Sequence, residues 1–403
     1  MSARTRHATR TAATDPRAEA GRRRDADITF YARRVAADPI GAADRSRLAA
    51  VYLQRARETG DFADYRRAEA LARRSLALRV AHNDNTYVVL ASALLAQHRF
   101  TEARAAARAL NARDPAVPGH RALLAEIELE LGNYGAARAL FDSLWPARHE
   151  LSVASRLARW AEITGHTDLA RRLLERARAD ARARRDLPPE QLAWFELRCG
   201  DLALRNGRLA EAEYAFREGL NVSPGDYRLL AALARLETAR GRWREAIAYG
   251  EDAIAAVPDP ATFGLISDAY AELGDTTRAA EYAHAMEIAV LGQPGQWHRA
   301  WSLFLLDHDR RVPDVLAKVD EELETRRDIY GYDLRAWALH KQHRDRDAWV
   351  SMARALSQGT TDAQLLYHAS VIARALGESV TARGYLERAR GVNPYYQPDR
   401  AAR

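Results

Sequence analysis

Tryptophan, tyrosine and histidine crowd the C-terminal third of this chain: Trp297, His298, Trp301, Tyr330, Tyr332, Trp337, His340, Tyr367 and His368. Imidazoles serve as general bases or metal ligands, and indoles offer a flat apolar face with a single donor. The spacing assembles no complete catalytic set. The sequence has no HExxH and no Gly-rich phosphate loop of either standard type. Cys199 is the only cysteine, so no Cys-based zinc spacing and no intramolecular disulfide can form. The carboxylates Glu162, Asp201 and Asp268 are scattered, and spacing pairs none of them. We therefore assign no catalytic residue, no cofactor and no metal ligand. An enzymatic site near Trp301, His340 and His368 is the least favoured reading. The aromatics read first as packing in hairpins that use bulky side chains where others use Ala and Leu, and second as the lining of a recognition pocket.

What must position these residues is a pattern that recurs about every 34 residues. Ala103, Ala137, Ala170, Ala212, Ala246, Ala279, Ala348 and Ala382 mark it, with steps of 34, 33, 42, 34, 33, 69 and 34. The step of 69 hides one weaker unit. Twelve residues before each marker sits a small residue: Ala91, Ala125, Ala158, Gly200, Ala234, Ser267, Ala336 or Ser370. Five residues before it stands Gly132, Gly165, Gly207, Gly241, Gly274 or Gly377, with His98 and His343 as the exceptions. Pro115, Pro224, Pro258 and Pro394 follow twelve residues after. Apolar residues at helical spacing, such as Ala137, Leu140, Phe141 and Leu144, fill the intervals. Each unit thus reads as helix, Gly turn, helix, Pro-terminated turn. Small residues let paired helices approach, and a stack of such pairs shares one continuous core. In this register His343 falls in the turn after the helix that carries His340. The step of 42 spans the Arg/Ala-rich stretch 176–185 and Pro188-Pro189, and predicts a lengthened helix and a turn.

These residues resemble the tetratricopeptide repeat family. Leu90-Ala91-Leu94, His98, Ala103, Ala107, Leu110 and Pro115 lie at the family spacing. So do Cys199-Gly200-Ala203, Gly207, Ala212, Phe216, Gly219 and Pro224, and Ile266-Ser267-Tyr270, Gly274, Ala279, Ala283 and Met286. The resemblance implies an all-α, right-handed α-solenoid of about ten helix-turn-helix units. Their expected bounds are 42–83, 84–117, 118–150, 151–192, 193–226, 227–259, 260–294, a degenerate 295–328, 329–362 and 363–394. Residues 27–41 are expected to form an N-terminal capping helix, 1–26 a disordered basic tail and 395–403 a C-terminal tail. In that family the first helix of each unit builds the inner face of the superhelix. By resemblance this puts Arg159, Glu162, Trp194, Asp201, Arg228, Arg235, Asp268, Tyr330, Trp337, His340, Tyr367 and Arg374 on or near a concave groove. The Lys and Asn set with which part of the family clamps chaperone tails is missing here. The expected function is a non-enzymatic scaffold that holds a partner protein segment in the groove.

The net charge of +6 offers an alternative. Residues 1–26 hold seven arginines against three acids, so the tail carries most of the basicity. Such a tail suits nucleic acid or an anionic surface. Lys318 and Lys341 are the only lysines, which reads as base-composition bias. No apolar run approaches the length of a membrane span, and no apolar stretch follows Arg22-Arg23-Arg24 as a twin-arginine signal would need. These features favour the cytoplasm and are compatible with a bacterial periplasm. Self-association through the C-terminal end is a further expectation, since terminal repeats normally need a polar cap.

Overall fold

A computed structural model gives the fold, and it describes residues 16–292 and 299–396. The expectations for residues 1–15, for Trp297 and His298, and for residues 397–403 lie outside the described residues. Among the described residues the chain is all α, with twenty-one α-helices and no strand. Helix α1 (Pro16–Ala37) is followed by ten antiparallel pairs. These are α2 (Ala42–Thr59) with α3 (Phe62–Leu78), α4 (Asp84–Ala96) with α5 (Phe100–Arg113), α6 (Pro118–Glu130) with α7 (Tyr134–Ser143), and α8 (Leu151–Ile163) with α9 (Thr167–Ala183). Next come α10 (Pro189–Arg205) with α11 (Leu209–Val222), α12 (Tyr227–Ala239) with α13 (Trp243–Ala256), and α14 (Pro260–Glu272) with α15 (Thr276–Leu291). The last three are α16 (Arg299–Asp307) with α17 (Val312–Thr325), α18 (Ile329–Lys341) with α19 (Asp345–Ala355), and α20 (Ala363–Ala375) with α21 (Ser379–Val392). Each pair packs on its predecessor, which makes the molecule an α-solenoid.

The repeated small residues are where the backbones meet. Ala91, Ala125, Ala234 and Ala336 on the first helices are fully buried, as are Ala103, Ala137, Ala212 and Ala348 on the second. Gly200 lies so close to Phe216 of α11 that a β-carbon there would overlap its ring. Ala279 departs from the pattern and is only half-buried, because α15 buries little besides Met286. The turn inside each pair takes the left-handed conformation, as at Gly165 with φ 77°. His98 and His343 adopt it too, at φ 57° and 59°, despite carrying a β-carbon. Several first helices open on an aspartate cap: Asp226, Asp259, Asp328 and Asp362 accept from the amides of Arg228, Thr262, Gly331 and Gln364.

The N-terminal segment differs from the sequence expectation. Helix α1 begins at Pro16, inside the stretch read as a disordered tail, and it ends at Ala37. Its acids sit at helical spacing from its arginines: Glu19 pairs with Arg22 at 2.6 Å and Arg23 at 2.9 Å. Arg24 is paired with Glu58 of α2. Net charge counts these arginines as a basic arm, whereas local pairing converts them into a helix that packs on α2 and touches α10.

The solenoid closes on itself. The inner turn of one pair docks on the outer turn of a pair one superhelical revolution later. The Arg327 amide donates to the Leu131 carbonyl at 3.0 Å, and the Ile329 amide donates to Tyr134 Oη at 2.7 Å. Thr167 and Thr361 join their hydroxyls at 3.1 Å, and Asn393 Nδ2 donates to the Leu204 carbonyl at 3.3 Å. These partners lie 189 to 196 residues apart. Gly60 meets Val257 in the same way. One apolar cluster accordingly runs from Leu129, Phe141 and Leu157 to Leu305, Ile329 and Leu339.

Candidate functional site

Six first helices in succession, α2, α4, α6, α8, α10 and α12, turn residues toward a common interior. They line a cavity of about 1190 Å³. Its lining mixes Leu95, Leu123, Leu151, Leu187, Trp194 and Phe195 with charged residues from these helices, from the end of α9 and from the connections before α8 and α10. The contact of Gly60 with Val257 brings the first pair against the end of the sixth. The concave face is therefore a broad cavity that stays open to solvent on one side.

The electrostatic centre is Glu162 on α8. Its carboxylate lies 2.7 Å from Arg205, 3.1 Å from Arg159 and 3.8 Å from Arg198. Burial opposes its charge, but Arg205, Arg159 and Arg198 outweigh burial and hold the carboxyl down at about 2. The three guanidiniums keep side-chain exposures between 21% and 38%, so the cluster is wetted, and Arg159 and Arg198 carry it into the cavity lining. Burial and the neighbouring Arg205 push Arg198 below its ordinary range. Burial also opposes charge on Arg159, yet Tyr330, Glu162 and Glu130 hold it well above that range. Glu130 itself is pushed up by burial and pairs with Arg326 at 3.1 Å across the superhelical seam.

The sequence-predicted residues fall into several groups. Arg159, Trp194 and Arg228 line the cavity together. Arg228 is held by Glu190 at 2.8 Å and by Asp226 at 2.7 Å. Asp201 and Arg235 pair with each other at 2.9 Å. Tyr330 stacks under two guanidiniums, Arg159 at 5.3 Å and Arg299 at 4.9 Å. Further along, Trp337 donates through Nε1 to Asp307 at 2.9 Å and stacks on His368 at 4.2 Å and His340 at 5.2 Å. His368 Nδ1 lies 2.7 Å from the buried Asp333, and His340 Nδ1 lies 2.6 Å from Asp345. Burial opposes charge on Asp333, but His368 and Arg299 hold its carboxyl below the usual value. Asp268 faces His308 at 3.2 Å, and Tyr367 packs edge-on against Tyr396 at 5.9 Å. Arg374 is exposed. Cys199 is half-buried, and burial pushes its thiol up to about 12, far from a reactive thiolate. No group of His, Cys, Asp and Glu among the described residues has the arrangement to hold a metal ion.

Sequence reasoning missed Arg198 and Arg205. They continue the stripe of Trp194 and Asp201 along α10, spaced i, i+4, i+7 and i+11, so the helical period alone could have found them. Arg57 was missed too, and no spacing links it to the others. It comes to the cavity from α2 by the winding of the solenoid.

The tetratricopeptide repeat profile matches residues 94–160 and 203–268. No curated protein sequence matches the chain. Among solved structures the fold is similar to PilW, a widely conserved type IV pilus biogenesis factor, at 18% identity, with 56% of this chain and 99% of that chain covered and a TM-score of 0.43. It is similar to the APC/C hetero-tetramer Cut9-Hcn1 at 12% identity, 96% and 93% coverage and a TM-score of 0.37. It is also similar to the human IFIT1 dimer with PPP-AAAA at 14% identity, 86% and 82% coverage and a TM-score of 0.46. No helix among the described residues is long and apolar enough to cross a membrane. Repeats of this kind build protein-interaction scaffolds. The two matched segments are tetratricopeptide repeats, and hairpins of the same form stack on both sides of them.

Proposed function

We propose that the chain is a non-enzymatic scaffold whose concave face holds a segment of a partner protein. The observation that carries this reading is the cavity of about 1190 Å³, lined by indole, leucine and guanidinium groups drawn from six successive first helices. Apolar surface beside fixed charges suits an extended polypeptide, which offers both kinds of side chain in turn. The alternative of a basic N-terminal arm loses support in the described part, where Arg22 and Arg23 pair with Glu19 and Arg24 with Glu58. At the other end, Asn393 and Pro394 pack on the turn between α10 and α11, which gives the last pair a neighbour within its own chain.

A photo-crosslinking amino acid at position 194 tests the reading against one at Tyr214, which is 55% exposed on α11. Partner peptides are expected to crosslink from position 194 and not from position 214. Crosslinks from 214 alone would place the docking surface outside the cavity.

A further inference from the structure

The charges that line the cavity do not cancel evenly. Glu126 is taken by Arg156 at 2.7 Å, Glu190 by Arg228 at 2.8 Å, Asp180 by Arg176 at 3.0 Å and Glu130 by Arg326 at 3.1 Å. Arg184 is taken by Asp186 at 2.7 Å. Glu162 is already engaged by Arg159 and Arg205 at shorter range than by Arg198, which stays 3.8 Å away. Arg205 Nε is buried without a hydrogen-bond partner. Arg57 forms no hydrogen bond or ion pair among the described residues. Glu150, just before α8, is a lining carboxylate with no ion pair among the described residues. Against it, two guanidiniums, Arg57 on α2 and Arg198 on α10, face the cavity with their donors largely unspent. The same cavity carries the apolar face of Trp194.

We infer that the segment held in the cavity is acidic, its carboxylates pairing with Arg198 and Arg57 while an apolar side chain lies on Trp194. The inference rests on the reading that the cavity holds a protein segment. Carboxylate and guanidinium match as a two-pronged pair, and such a pair is strong where water is partly excluded. A single strand of nucleic acid fits less well. It carries a charge at every phosphate. Glu150 lies unpaired in the same cavity and would repel that regular array, and the arginines already spent on Glu126, Glu130, Asp180 and Glu190 offer it little. A polypeptide spaces its acids and can set neutral residues against those carboxylates.

The experiment selects binders from a randomised twelve-residue peptide library displayed on phage, using the full chain as bait. A random-sequence RNA pool of similar length is offered in parallel. The expected result is enrichment of peptides with two or more Asp or Glu residues beside an aromatic or branched apolar residue. A synthetic winner should lose at least about tenfold in affinity on Arg198→Gln, more on Arg57→Gln/Arg198→Gln, and less on Arg198→Lys. Circular dichroism should stay unchanged in these variants, because Arg57 has no ion pair among the described residues and Glu162 keeps its nearer partners Arg205 and Arg159 without Arg198. Winners that depend on Trp194 but lack acids would overturn the inference and leave the cavity reading standing. Winners indifferent to both Trp194→Ala and Arg57→Gln/Arg198→Gln, or no enrichment at all, would overturn both. RNA retained by the wild type and lost on Arg198→Gln would overturn the inference in favour of a nucleic acid.

Discussion

Glu162 shows how much one side chain can decide in this molecule. Its carboxyl titrates at about 2 in the fold against 4.5 for the free group. A carboxyl depressed by folding adds stability that is complete above the unfolded value and is lost as pH falls through the folded one. Glu162→Gln should therefore lower the denaturant midpoint at pH 7, by the equivalent of about 3 kcal/mol. The gap to the wild type should narrow as pH falls from 4.5 toward 2. A gap independent of pH would remove the guanidinium cluster as its cause. Gly200 makes a second residue-scale case. A β-carbon there overlaps the Phe216 ring, so Gly200→Ala should cost about 1–3 kcal/mol by thermal melting. Gly384→Ala on α21 meets nothing within 4 Å and should gain about 0.5–1 kcal/mol by the same measurement. The requirement for a small residue at 200 was legible in the sequence, because the repeat demands one there. The cluster around Glu162 was legible only in part. Glu162 and Arg159 follow from the inner-face register and the period of α10 marks Arg205, whereas the 2.7 Å approach of Arg205 to Glu162 was set by the stacking of the fifth pair on the fourth.

At the scale of elements, the turns between paired helices carry two different loads. Gly132 and Gly274 share the left-handed conformation, at φ 76° and 79°. Gly274 has open space where its β-carbon would stand, whereas Gly132 abuts the backbone of Arg327. Gly274→Ala should cost only the conformational term, about 1–2 kcal/mol. Gly132→Ala should cost more. It should also speed hydrogen exchange at the Arg327 amide, which donates to the Leu131 carbonyl. Equal costs, with no change at Arg327, would show that the seam contributes nothing. The sequence marks both glycines identically, because the repeat needs the same turn at each. The seventh pair shows the converse, since Ala279 keeps the repeat register without the repeat burial. Helix α15 leaves Ile288 and Leu291 at 57% and 73% exposure. Register fixes where a side chain points along its own helix, and burial also needs a neighbour at the right distance.

The whole molecule is a superhelix whose successive revolutions touch. Seam contacts near residues 60, 132, 165 and 207 recur on the turns at 257, 327, 359 and 393, so winding and closure are one property. Gly132→Ala combined with Gly165→Ala should loosen two adjacent contacts. The expected result is a larger radius of gyration by small-angle scattering with helical dichroism unchanged, because each hairpin holds its own helices. An unchanged radius would mean that stacking between neighbours alone sets the curvature. The sequence by itself determined the hairpin, its length, its small-residue contacts and the order of stacking. All of these depend on residues a few turns apart, and period and turn chemistry record them directly. It misjudged the N-terminal arm, where pairs such as Glu19 with Arg22 build a helix out of apparent surplus charge. Only the tertiary structure decided that Arg57 shares one cavity with Arg198 and Trp194. The rotation between neighbouring pairs is small and accumulates over five or six of them. No local pattern encodes that sum, so residues nearly 200 positions apart become neighbours without any mark in the sequence.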